Sequence, residues 1–360
     1  MAGLLLAGAI AASVLASCAP APSGPPVAVL FPGDAEDAWG ASAAVLRDEL
    51  ADDGYAVEVR FAGDDIPLQL GQLREVLAAE PAAVVLAPVD ATSIAAVLDE
   101  DAGEGVSIIA YDELVLDSER VDYYATFDHR AAGGLQARSL VDALGLADDP
   151  DAGPFPVELL AGSGDDPGAR EAFAGALEVL QPFLDGGRLT VPSGRVDLEQ
   201  AAILRGSPGT AAKRVAALLE DGVELAGVLS PSDAMSTAVA GVLADAGLEV
   251  VEPGSRWTAA PLPPDETGGP AVPSSVVLTG GGSTLEGARS VREGTQSATV
   301  HEDPRELARA VASMVREVVE GEAPTVTQGA TTDNGIRDVP TLLLEPRLVA
   351  TVADAARLLG

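Results

Sequence analysis

From Val27 onward, short apolar runs alternate with longer segments whose apolar positions recur every three or four residues. Val27–Phe31, Tyr55–Phe61, Ala82–Ala87, Val106–Ala110 and Tyr123–Phe127 predict strands. Asp37–Asp52, Ile66–Ala79 and Thr92–Asp101 predict the helices between them, the first with Leu46 and Leu50 on one face. The strand segments are rich in Val, Ile, Leu and Ala, as expected of a parallel sheet covered by helices on both faces. After helix Ala131–Leu144 and a loop rich in Asp, Gly and Pro, the pattern repeats. Phe155–Leu160, Leu189–Val191, Gly227–Ser230, Val276–Thr279 and Ala298–Val300 predict strands. Gly168–Leu180, Thr210–Glu220, Met235–Ala246, Ser283–Glu293 and Pro304–Glu320 predict helices. Glu252–Pro273, with six Pro and three Gly, reads as an exposed loop in which Trp257 is a surface anchor. The expected fold is α/β: two similar lobes of parallel sheet flanked by helices, with a cleft between them. In open sheets of this kind ligands bind beyond the carboxyl ends of the strands, so the loops after each strand are where function is sought.

Ahead of the first strand, Leu4–Leu15 is too short to span a bilayer and fits the core of a signal peptide, although no Lys or Arg precedes it. It ends in Leu15-Ala16-Ser17-Cys18, which looks like a bacterial lipobox, followed by a Pro-rich stretch. The expected layout is a signal peptide over 1–17, then a lipidated Cys18 and tether over 18–26. The protein is then extracytoplasmic and held to the cell membrane by its lipid. The alternative is an ordinary secretory signal with a chance cysteine near its cleavage site.

The chain of 360 residues is long enough for two domains, and 47% hydrophobic residues supply their cores. Aromatics are 3%, so those cores rest on Ala, Val and Leu. A net charge of −35 argues against nucleic-acid binding and against electrostatic docking on anionic lipid. One cysteine and two histidines leave no internal disulfide and no Cys/His zinc set, and no cofactor is expected. Catalytic motifs are missing as well. The single lysine, Lys213, follows Ala, Gly280-Gly281-Gly282 lacks dinucleotide spacing, and Gly162-Ser163-Gly164 is not a nucleophile elbow. Asp165-Asp166 before Pro167-Gly168 reads as a helix cap. A binding protein, not an enzyme, is favoured by elimination.

Several segments carry a resemblance. Ile108–Leu140 contains Ile-Ala-Tyr-Asp-Glu-Leu-Val and Asp-Tyr-Tyr-Ala-Thr-Phe-Asp-His. Gly63–Leu70, Glu158–Ser163 with Asp165-Asp166, Leu229–Asp233, Asp303–Ala308, Asn334-Gly335 and Val339-Pro340 follow in order. Together they resemble sugar-binding proteins of bacterial ABC importers: the periplasmic binding protein type I family, of the xylose-binding and ChvE-like multiple-sugar-binding kind. The resemblance implies two Rossmann-like lobes joined by a three-strand hinge, closing on a small ligand and docking on a permease as a monomer. It places residues 27–127 with 303–330 in the first lobe and 128–302 with 331–360 in the second. The ligand site carried over comprises Trp39, Asp112, Glu113, Asp128, Arg205, Ser232, Asp233, Gly282 and Glu302, with the Gly280–Gly282 segment taken as a loop.

This chain departs from the family pattern at several of those positions. Ala38 replaces Arg before Trp39, and Tyr-Asp-Arg has become Tyr111-Asp112-Glu113. The Gly-Gln-Asp segment is all glycine, and Glu302 stands where Lys or Gln is frequent. Three readings therefore stay open: a sugar or polyol ligand, a different polar or cationic ligand, and a non-transport sensor that keeps the fold. His129 and His301, on predicted crossings beside Asp128 and Glu302, are read either as part of an acidic cleft suited to a cation or as plain hinge residues.

Overall fold

In this computed structural model, residues 24–36, 38–103, 105–258 and 275–360 are described. Cys18, the signal segment and most of Glu252–Pro273 lie outside them. The first lobe begins as β1 (Pro26–Phe31), α1 (Ala38–Asp52), β2 (Ala56–Phe61), α2 (Ile66–Leu77), β3 (Ala83–Leu86), α3 (Ala95–Asp101), β4 (Ser107–Tyr111) and β5 (Tyr123–Phe127). The chain then crosses into the second lobe. There α4 (His129–Ala143), β6 (Phe155–Leu159), α5 (Pro167–Asp185), β7 (Leu189–Thr190), α6 (Leu198–Ala201) and α7 (Pro208–Glu220) lead to β8 (Gly227–Leu229). The lobe continues with α8 (Asp233–Asp245), β9 (Glu249–Val250), β10 (Ser275–Gly282), α9 (Glu286–Glu293) and β11 (Ala298–His301). A second crossing leads to α10 (Pro304–Val319), β12 (Thr331–Asp333) and β13 (Asp338–Leu344), and a third to β14 (Arg347–Val349) and α11 (Val352–Leu359).

The first sheet runs β12-β13-β5-β4-β3-β1-β2 and the second β14-β11-β10-β8-β6-β7, with β9 on β10. All pairings are parallel except β12 on β13 and β14 on β11. Each sheet is buried on both faces. One core of the first lobe gathers Val29, Phe31, Leu46 and Leu50 under α1 and α10 residues such as Leu307 and Val311. The other packs Leu30, Leu86 and Ile108 against Leu73 and Leu98. In the second lobe Leu140, Leu159 and Phe173 form one core, and Val228, Leu243 and Leu278 the other.

The structure corrects three expectations. The tail over 331–344, placed in the second lobe from sequence, belongs to the first sheet, with Thr341–Leu344 of β13 pairing parallel to Tyr124–Phe127 of β5. Only β14 and α11 return to the second lobe. The Gly280–Gly282 segment is not a loop but the end of β10, in register with Thr299–His301. A Cβ at Gly280 would lie 2.1 Å from the Gln296 amide nitrogen and 2.6 Å from an Asp233 oxygen, so only glycine fits against them. Trp257 is also more than a surface anchor. Its indole donates to the Ser275 carbonyl at 2.8 Å and meets Phe155 edge-on at 5.1 Å.

The helices that open onto the interlobe space begin at side-chain caps. Asp128 accepts from Ala131 N, Asp166 from Gly168 N and Ser232 from Met235 N at the starts of α4, α5 and α8. Helices α4 and α5 meet backbone to backbone. A Cβ at Gly133 would sit 1.7 Å from the Ala172 carbonyl oxygen, and one at Gly175 would sit 1.9 Å from that of Arg130. Gly→Ala normally favours a helix by about 0.5–1 kcal/mol, but here the added methyl meets backbone that cannot rotate away. Gly175→Ala is expected to destabilise by about 1–3 kcal/mol, read as a lower urea midpoint; a midpoint at or above that of the wild type contradicts the packing described.

Candidate functional site

The carboxyl ends of the strands from both sheets face a cavity of about 530 Å³ between the lobes. The first lobe contributes Asp112 and Glu113 from the turn after β4, Tyr124 of β5, and Thr332 and Asp333 of β12. The second contributes Gln136 of α4, Ser163 and Asp166 from the loop after β6, Arg205, Ser232 and the β10 end at Gly281–Gly282. His129 and Glu302, one on each of the first two crossings, complete the wall.

Two of these positions are held in the left-handed backbone region, Asp112 at φ 62° and Arg205 at φ 53°. Such a conformation costs about 1–3 kcal/mol for a residue with a side chain and persists only where its surroundings hold it. At Asp112 its N–H donates to Ala125 O at 2.8 Å and its carbonyl accepts from the Tyr124 hydroxyl at 2.6 Å. At Arg205 the N–H donates to Ser163 Oγ at 3.0 Å. Both side chains are thereby carried to the cavity wall by turns that their neighbours lock.

The crossings are tied to one another. His129 Nδ1 lies 3.1 Å from Glu302 Oε1, and Asp128 N donates to Leu344 O at 2.9 Å, linking the first crossing to the second and third. His129 Nε2 lies 3.3 Å from Thr126 Oγ1. Burial opposes charge on the imidazole, but the Glu302 hydrogen bond and the charges of Glu302, Asp112 and Asp166 outweigh it and raise His129 to about 9. Burial, opposed by His129 and reinforced by Glu302, pushes Asp112 up to about 6. Loss of water, with Asp112 and Asp166 adding and His129 opposing, pushes Glu113 up to about 7. Glu113 is exposed on the cavity wall, so solvent screening weakens its coupling to these charges. Among the described residues no group of three or more His, Cys, Asp or Glu side chains is arranged to hold a metal ion.

Residues 27–323 match the model of the periplasmic binding protein domain. The chain belongs to the periplasmic binding protein family. It is 37% identical to the multiple sugar-binding periplasmic protein SbpA of Azospirillum brasilense and 35% identical to the multiple sugar-binding periplasmic receptor ChvE of Rhizobium radiobacter. Each match covers 89% of this chain and 85% of the relative. An ABC transporter solute binding protein from Clostridium phytofermentans, solved with bound β-D-glucose, superposes with a TM-score of 0.75 at 29% identity over 93% of this chain and 96% of its own. The two-lobe α/β fold is that of the family.

Of the residues expected at a periplasmic binding protein's ligand site, Asp112, Glu113, Arg205, Ser232, Gly282 and Glu302 line the cavity together. Three expected residues do not. Trp39 packs at a tilt of 43° against Phe31 at 5.2 Å and of 60° against Tyr111 at 6.2 Å, so its ring joins the first-lobe aromatic cluster and does not line the cavity. Asp128 turns its carboxylate back to cap α4. Asp233 is 6% exposed and lies behind β10, where Oδ1 accepts from Gln296 Nε2 at 2.8 Å and Thr299 Oγ1 at 2.7 Å. The two histidines also part company. His129 reaches the cavity, whereas His301 is buried within β11, so they form no joint cation site. Sequence reasoning missed Tyr124, Gln136, Ser163, Asp166 and Asp333. Gln136 donates to the Gly280 and Pro231 carbonyls and joins α4 to the end of β10 and to the loop after β8. A polar residue on the apolar face of its helix was the available signal.

The raised His129 has a definite consequence. Its ion pair with Glu302 stabilises the folded state fully below the ordinary midpoint of 6.5 and is lost as pH rises through about 9. Glu302→Gln is expected to bring the imidazole midpoint, followed by NMR, from about 9 back toward 6.5. A wild-type midpoint already near 6.5 contradicts the clasp.

Proposed function

We propose that this protein is the extracytoplasmic ligand-binding component of a sugar ABC importer. It takes one polyhydroxylated molecule into the interlobe cavity and presents it to a permease. The observation that carries the reading is the cavity itself, whose volume of about 530 Å³ suits a small ligand and whose walls oppose hydrogen-bonding groups from both lobes. Asp112, Glu113, Asp166 and Glu302 offer acceptors, Arg205 and Gln136 donors, and Ser163 and Ser232 either. A sugar presents alternating donors and acceptors around a ring, and an enclosed polar site discriminates hydroxyl patterns because each unmatched group is left unpaired. The multiple sugar-binding relatives and the glucose-bound structure support the same class. Cys18 is assigned as the lipid attachment point, holding the body near the membrane; among the described residues no helix is long and apolar enough to cross one.

Ligand present at a thousand times Kd adds about 4.1 kcal/mol to folded-state stability. D-glucose or D-xylose is therefore expected to raise Tm by several degrees, and Asp112→Ala to weaken binding about tenfold or more. No shift with any of a panel of pentoses and hexoses overturns the sugar reading. The anchor is tested separately: Cys18→Ser should move the protein from the membrane fraction to the soluble one, and retention at the membrane contradicts it.

A further inference from the structure

The charges around the cavity can be accounted for one by one. Glu302 is matched by His129 at 3.1 Å. Asp166 spends one oxygen on Gly168 N and Ala169 N at the start of α5, and Asp333 accepts from Gly335 N at 2.9 Å. Asp112 receives only a long 3.4 Å bond from Thr126 Oγ1. Glu113 has no ion-pair partner among the described residues, although it lines the cavity. The other cation on the wall, Arg205, belongs to the second lobe and comes with the Ser163–Asp165 loop. The first-lobe wall therefore holds two adjacent carboxyl groups, Asp112 and Glu113, in a turn locked by Tyr124 and Ala125, with no ion-pair partner among the described residues; the cation that acts on both, His129, is paired to Glu302.

A neutral sugar gives such a pair only hydroxyl donors. An ammonium group on the same ring gives a charge-assisted hydrogen bond to the half-buried Asp112 or to Glu113 beside it, which is the stronger contact. Resting on the sugar reading above, we propose that the cavity selects a polyhydroxylated amine, an amino sugar, over the corresponding neutral sugar, with the ammonium directed to Asp112 and Glu113 of the first lobe. Glu113 is the residue that sets this preference. Its ionisation also fixes the direction of the pH response. The groups facing it are Asp112, Asp166 and His129: burial first, then the charges of Asp112 and Asp166, hold its carboxyl up to about 7 against the opposing charge of His129. Preference for the amine should accordingly grow as pH rises through that value, for as long as the ligand's own amine stays protonated.

Isothermal titration of the full chain with D-glucose, 6-amino-6-deoxy-D-glucose and D-glucosamine, near pH 8 and near pH 5.5, tests the proposal. The expected result is one amino sugar binding about tenfold or more tighter than glucose at the higher pH. That ratio should fall towards one at the lower pH and also in Glu113→Gln, with circular dichroism confirming that the variant is folded. Glucose binding as tightly as both amines overturns the inference and leaves the sugar reading standing. No binding of any of the three by folded protein, together with silence across the sugar panel, overturns that reading and the inference with it. A preference that survives in Glu113→Gln and in a second variant, Glu113→Ala, overturns the assignment to Glu113.

Discussion

Two sheets that share no strand pairing are joined by three crossings, and the hydrogen bonds at those crossings constrain everything the cavity can do. The His129–Glu302 ion pair and the Asp128–Leu344 bond draw the crossings together at the point where both sheets present their carboxyl ends. The cavity wall grows from that junction: β5 runs into it carrying Tyr124 and Thr126, and α4 runs out of it carrying Gln136. With side-chain exposures of 25% and 17% the two groups of the ion pair are partly desolvated, so loss of either partner leaves the other charge half-buried and unpaired. The ion pair also engages one carboxylate of a strongly acidic wall, on which Asp112, Glu113, Asp166 and Asp333 have no ion-pair partner among the described residues.

Backbone strain and electrostatics converge on the same turn. Asp112 occupies the left-handed region and carries a carboxyl raised to about 6, beside a Glu113 raised to about 7. The Asp112 backbone is tied to the core through the Tyr124 ring, whereas the two carboxyl groups line the cavity. Uncompensated charge lowers folded-state stability as pH rises, because the unfolded chain ionises these groups freely at lower pH. On the proposed function, a ligand would complete the contact for which this turn gives up stability.

Much of the fold was legible because parallel strands covered by helices are nearly unbroken Val/Ile/Leu/Ala runs, and the periods of the intervening segments differ enough to separate helix from strand. The tail was not. Asp338–Leu344 pairs with β5 more than two hundred residues earlier, and no local pattern records which of two similar sheets a late strand will join. Gly280–Gly282 looked like a loop because glycine is a turn residue, yet here it answers to the side chains of Gln296 and Asp233 pressing from behind. At the site, Asp112, Glu113, Arg205 and Ser232 were legible through the family resemblance, and three of them lie in turns or loops directly after strands. Trp39 misled because an aromatic ring near a cleft is equally at home on a neighbouring aromatic cluster. Tyr124 and Gln136 escaped notice because they sit inside regular elements whose pattern reads as core.

On the proposed function, one ligand occupies the cavity between Asp112–Glu113 of the first lobe and Arg205–Ser232 of the second. A crystal structure of the protein grown with saturating sugar or amino sugar tests it most directly. The predicted result is a single ring in the cavity with polar contacts to Asp112 or Glu113 on one side and Ser232 or Arg205 on the other. A ligand bound elsewhere, or an empty cavity under saturating conditions, would contradict it.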